Sequence, residues 1–213
     1  WKLNPLGYHL TNLALHLICV LAGFLLVREL TRDSFGAGFA AALFAVLPAH
    51  AEAVVSLLGR SDLLAALFVI LGFWLYQKSG AGEKKLGIRY LGSLVLGLCA
   101  CLAKETGLVL PFLIVIYELA LRRRKPAETA LAVLPFVAAA ALYLLYRGAV
   151  LRGNTAGSSW WGGAATKNFL MILEIYARYL RVIFAPITLS PLHLVPIPAG
   201  FFDGPVLVGS VVW

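Results

Sequence analysis

Apolar runs long enough to cross a bilayer constrain this chain more than any other feature. A spanning helix needs about 20 apolar residues, fewer where the membrane thins. Tyr8–Leu30 supplies the first run, and Phe35–Leu47, Leu63–Tyr76, Tyr90–Ala103, Leu108–Leu121 and Ala130–Tyr146 follow. The second is short and stops at Pro48, and the last contains Pro135. A Gly/Ser/Trp loop is predicted over Arg147–Gly163, where Trp160 and Trp161 read as membrane-interface residues. A helix is predicted over Lys167–Ala185, and the five prolines of Pro186–Pro205 exclude a regular helix after it. Internal repeats and strand-like alternation are not apparent. The expected fold is all-α, a polytopic transmembrane helix bundle with about six or seven spans.

Composition excludes the alternatives. The 213 residues are 61% hydrophobic and 13% charged, with a mean hydropathy of +0.88. A soluble globule of this length needs far more polar surface, and a disordered chain far fewer apolar residues. The formal charge of +8 is therefore read by position and not as a nucleic-acid footprint, because membrane proteins concentrate Lys and Arg on the cytoplasmic side. Arg28 and Arg32, then Lys78, Lys84, Lys85 and Arg89, then Arg122, Arg123, Arg124 and Lys125 occupy alternate connections. They outnumber Lys2, Arg60, Lys104, Arg147, Arg152 and Lys167 on the other side. The first set marks the cytoplasmic face, and the 122–125 run is either a topology signal or a phospholipid-binding patch.

The chain opens on Trp1 and ends at Trp213 inside a new apolar run, and Met171 is its single methionine. It reads as one membrane-embedded domain over 1–213, incomplete at both ends. Cys19, Cys99 and Cys101 lie in apolar runs without metal-ligand spacing, as packing residues do.

Several polar residues lie where hydrocarbon is expected. Tyr8, His9, Asn12 and His16 open the first run, with 9, 12 and 16 sharing a helix face. His50 and Glu52 follow the short second run, Arg60 and Asp62 open the third, and Lys104–Glu105 joins the fourth to the fifth. Ionisable groups at membrane depth normally face a partner or a water-filled cavity. Under the topology above, all four clusters gather at one outer end. Each also has a structural reading: Lys104–Glu105 as a capping pair, Arg60–Asp62 as a pair at a helix start, His16 as a core histidine bonded to a carbonyl. His50 with Glu52 resembles half a metal site, but no third ligand has suitable spacing, so no metal is assigned. Glu174, Arg178 and Arg181, at i, i+4 and i+7, form an internal ion pair or line a cavity.

The strings Phe44-Ala45-Val46-Leu47-Pro48-Ala49-His50-Ala51-Glu52-Ala53-Val54 and Gly59-Arg60-Ser61-Asp62-Leu63-Leu64 carry a resemblance. Gly7-Tyr8-His9-Leu10-Thr11-Asn12 with Leu15-His16, and Lys104-Glu105-Thr106-Gly107 with Pro111, extend it. Together they resemble the transmembrane and tetratricopeptide-repeat-containing O-mannosyltransferases and their bacterial relatives. That family belongs to the GT-C glycosyltransferases, alongside the protein O-mannosyltransferases. The resemblance is strong over 7–121 and weaker over 165–205, where Leu189-Ser190 is similar to a family motif. Leu47 stands where the family usually has His.

The resemblance implies transfer of a sugar, mannose or another hexose, from a polyprenyl-phosphate donor to a protein or other acceptor at the non-cytoplasmic face. Arg60 and Lys104, with His50 and His9, would bind the donor phosphate, and Asp62, Glu105, Asn12 and His16 would support them. The family's catalytic base lies in an outer loop that would precede Trp1. Glu52 is the outer-face carboxylate available to nominate in its place. No cofactor beyond the donor lipid is implied, tetratricopeptide repeats are expected after the membrane part, and the membrane is a bacterial inner membrane or, in a eukaryote, the endoplasmic reticulum. A transporter and a non-catalytic membrane scaffold are the rival readings.

Overall fold

The computed structural model describes residues 5–56, 59–80, 87–151 and 164–184. They are helical, with no strand among the described residues. The order is α1 (Pro5–Thr31), α2 (Ser34–Val46), a 3-10 turn (Pro48–His50), α3 (Ala51–Val55), α4 (Arg60–Lys78) and α5 (Ile88–Ala103). A second 3-10 turn (Glu105–Leu108), α6 (Val109–Ile116), a π turn (Tyr117–Leu121), α7 (Pro126–Leu151) and α8 (Ala165–Phe184) complete it. The chain divides into two compact units, one of Trp1–Val46 with Ala53–Val150, the other of Leu47–Glu52 with Leu151–Trp213.

In the larger unit, α4 packs along both α1 and α5. Its core gathers Val69 and Tyr76 of α4, Tyr90 and Ala100 of α5, Leu110 and Ile114 of α6, and Val133 and Phe136 of α7. Cys19, Ala22 and Leu67 form a second cluster between α1 and α4. Two polar groups inside this apolar packing are satisfied by backbone: the Ser93 hydroxyl donates to Gly72 O at 2.7 Å and the Tyr90 hydroxyl to Ala132 O at 2.9 Å. The outward rows are apolar instead, as on α1 (Leu6, Leu10, Leu13, Leu17, Leu21) and α7 (Leu131, Leu134, Leu142, Leu145). An apolar core beneath apolar outward faces is the pattern of a helix bundle in lipid. The chain is a membrane protein.

About six or seven spans are expected from the sequence, and the described residues hold fewer helices of spanning length. Among the described residues, Pro5–Thr31, Arg60–Lys78 and Pro126–Val150 are by length and composition able to cross, with a fourth span if Ser34–Val46 and Pro48–Val55 count together. The 16 residues of α5 rise only about 24 Å at 1.5 Å each, short of a hydrocarbon core of about 30 Å. The predicted fifth run is broken into a 3-10 turn, α6 and a π turn. Pro135 does not break α7, which runs on to Leu151, so Arg147 is helical and not the start of a loop.

In the smaller unit, α8 lies against the Pro48–His50 turn and buries Leu170, Met171 and Glu174. Trp160, Trp161, Leu189, Ser190 and the Pro-rich stretch lie outside the described residues.

Candidate active site

Glycines set the backbone at the start of α4 and at the turn leaving α5. A Cβ on Gly59 would run into Ala53 O, and one on Gly107 into the Ala100–Cys101 backbone. Both approaches are closed to any other residue. The tight turn at Gly107 holds Lys104 in an extended conformation (φ −161°, ψ 149°) between α5 and the 3-10 turn. Lys104 N–H still bonds Ala100 O at 3.0 Å, and Lys104 O accepts from Gly107 N–H at 2.9 Å.

These backbones bring four charged side chains into one row. Lys104 Nζ donates to Asp62 Oδ1 at 2.5 Å. The next residue, Glu105, receives Arg147 Nη1 at 3.3 Å, and the same Nη1 meets the Tyr143 hydroxyl at 3.2 Å. Asp62, Lys104, Glu105 and Arg147 thus alternate in sign from α4 across the turn to α7. Beside them Arg60 places its guanidinium 5.4 Å from the centroid of the Tyr8 ring on α1. Its Nε and Nη2 have no hydrogen-bond partner among the described residues.

The pairing is not the one the local sequence suggests. Asp62 binds Lys104 and not its neighbour Arg60, and Glu105 binds Arg147 and not its neighbour Lys104. The partners are 42 residues apart in both cases. Asn12 and His16 are buried. Asn12 Nδ2 donates to Val54 O at 3.3 Å and Ser56 O at 2.8 Å, holding the segment that leads to Gly59. His16 Nε2 lies 3.1 Å from Ala45 O, and its ring stacks on Phe44. His9 is half-buried on α1. His50, half-buried, and Glu52, exposed, belong to the smaller unit. Among the described residues no three His, Cys, Asp or Glu side chains converge as metal ligands.

Arg147 was not nominated from sequence. The signal that could have found it is Tyr143 four residues earlier, which puts both on one helix face. The second residue missed is Glu118, at the other end of the unit. It is fully buried, accepts the Tyr76 hydroxyl at 3.0 Å, and meets Arg124 Nε at 3.2 Å and Arg122 Nη1 at 3.5 Å.

No family model matches the chain, and no solved structure matches it. Curated proteins do. Protein O-mannosyl-transferase Tmtc1 of Drosophila melanogaster is 40% identical over 106 residues, covering 50% of this chain and 12% of its own length. Protein O-mannosyl-transferase TMTC1 of Mus musculus is 36% identical over 126 residues, 55% of this chain and 13% of its own. Protein O-mannosyl-transferase TMTC4 of Homo sapiens is 34% identical over 134 residues, 54% of this chain and 18% of its own. The chain is related to these transferases. They are the family that the Gly-Arg-Ser-Asp and Lys-Glu-Thr-Gly strings resemble. The chain spans only 12 to 18% of the length of these O-mannosyl-transferase relatives.

Proposed function

We propose that this chain is part of the membrane domain of a glycosyltransferase that moves a hexose, mannose first, from a polyprenyl-phosphate carrier to a protein hydroxyl. The names of the relatives support the reaction, and the Arg60 guanidinium is the observation that carries the site. In such a transfer the bond from the sugar's anomeric carbon to the phosphate oxygen breaks, and the acceptor oxygen takes its place and gives up a proton. Negative charge grows on the leaving phosphate. A cation held nearby in a water-poor site stabilises that charge.

Lys104 and Arg147 each face a carboxylate, whereas Arg60 rests on an aromatic face and has two buried N–H groups, Nε and Nη2, that no described residue accepts and that a phosphate would satisfy. A planar fork suits that geometry better than an ammonium. Asp62 and Glu105 hold Lys104 and Arg147 in place beside it. The basic end of the bundle, near Arg122–Lys125, then faces the cytoplasm, and the carrier's phosphate sits at the opposite interface with its tail in hydrocarbon.

The test uses the purified full-length protein, a polyprenyl-phosphate mannose and an acceptor protein. Arg60→Ala is expected to lower kcat by about a hundredfold, with unchanged thermal unfolding. Arg60→Lys should fall between the two, and Lys104→Ala should also lose turnover. Wild-type turnover in Arg60→Ala would overturn the phosphate-binding role of Arg60, whereas no sugar transfer by the wild type would leave a scaffold. Substrate flux in proteoliposomes without sugar transfer would favour a transporter.

A further inference from the structure

The end of the larger unit opposite Arg60 carries a cleft of about 390 Å³. That lies within the range of ligand-sized sites, about 300–1,000 Å³. Three cations line it, Arg32, Lys78 and Arg122, with Gln77, the Tyr117 side chain and one carboxylate, Glu29. Glu29 pairs with Lys78 at 3.4 Å and Arg122 with the buried Glu118 at 3.5 Å, so the excess positive charge of the lining rests on Arg32. We propose that this cleft binds the phosphate-bearing headgroup of an anionic membrane lipid.

Backbone conformation sets where the segments around the cleft end. The last residues of α1, of α4 and of the π turn all line the cleft or adjoin it, and each segment stops on a left-handed residue. After α4 that residue is Gly80 (φ 61°), as sterics favour. After α1 it is Arg32 (φ 57°), whose N–H bonds Arg28 O at 2.9 Å, and beyond the π turn it is Arg123 (φ 52°). An L side chain is disfavoured there. Arg32 occupies a position that glycine often fills at a helix end, and its side chain lines the cleft.

Lipid is favoured over a soluble anion by the surroundings. The three segments end together where their apolar stretches end, and Leu121, which lines the cleft, is 58% exposed. A phosphate in the cleft would therefore have its acyl chains lying along hydrophobic faces. Basic pockets between spanning helices are known to hold lipid headgroups in this way.

The experiment is native mass spectrometry of the full-length protein released from nanodiscs of phosphatidylcholine, with and without phosphatidylglycerol. Wild type is expected to retain phosphatidylglycerol in preference to phosphatidylcholine. Arg32→Gly removes a cation and relieves the backbone together, so it should fold and lose about fivefold in retention; adding Lys78→Gln should deepen the loss to about 25-fold. Arg123→Gly is the matched control, with the same charge change and the same backbone relief outside the cleft lining, and should retain lipid as wild type does. Equal loss in Arg32→Gly and Arg123→Gly would overturn the proposal in favour of general surface charge. Displacement of the retained lipid by millimolar inorganic phosphate would overturn it in favour of a soluble anion. A photoactivatable phosphatidylglycerol needs no variant: labelling of wild type should concentrate on peptides holding Lys78 or Arg122, and even labelling along α7 would overturn the assignment.

Discussion

Two buried polar residues show how a single side chain is spent in this protein. Asn12 is fully buried and donates twice to the backbone just ahead of Gly59. Asn12→Leu keeps the branched shape but leaves both carbonyls short of a donor, so unfolding in detergent should show a loss of about 1–3 kcal/mol. Asn12→Asp should be worse, since it buries a charge among acceptors. Glu118 is the converse case, a buried carboxylate with three donors around it. Glu118→Ala strands Arg122 and Arg124 and should destabilise by about 3–5 kcal/mol. Tyr76→Phe removes one neutral donor and should cost only about 1 kcal/mol. Comparable losses for the two substitutions would refute the view that the arginines bind mainly through Glu118.

At the scale of an element, the 3-10 turn after α5 is the part on which the candidate site depends. A Cβ at Gly107 would meet the Ala100–Cys101 backbone, which cannot yield as a side-chain end can. Gly107→Ala should therefore displace the turn, with a stability loss of about 1–3 kcal/mol and a loss of turnover that follows Lys104 out of place. Gly148, on α7, has nothing within 4 Å of its Cβ position, so Gly148→Ala should leave turnover alone and raise stability by about 0.5–1 kcal/mol. Thermal unfolding and turnover of the two variants side by side decide the matter. The local spacing made Gly59 and Gly107 legible as parts of motifs, but not as contacts, because the backbones they admit are contributed by other turns. The same limit hid the breaks within 105–121: a uniformly apolar run shows no periodicity that separates α from 3-10 or π winding.

Over the whole molecule, the charged residues divide between two ends of one bundle unit. The Asp62–Lys104–Glu105–Arg147 row and Arg60 mark one end, and the Glu118 cluster with Arg32 and Lys78 marks the other. Under the proposed orientation, Thr106→Cys in a cysteine-free background should react with a membrane-impermeant maleimide in intact vesicles of outer-face-out orientation. Arg123→Cys should react only after permeabilisation. The reverse pattern would invert the assignment of inside and outside. By itself the sequence determined that the chain is apolar, helical and membrane-embedded, because those properties follow from run length and composition. It also carried the kinship, because short strings such as Gly59–Asp62 and Lys104–Gly107 keep their order. The partners of each charge were decided only by tertiary structure. Asp62 stands beside Arg60 in the chain yet binds Lys104, and Glu105 stands beside Lys104 yet binds Arg147. Adjacent residues on a helix or turn point in different directions, whereas residues 42 apart meet when α4, α5 and α7 pack side by side.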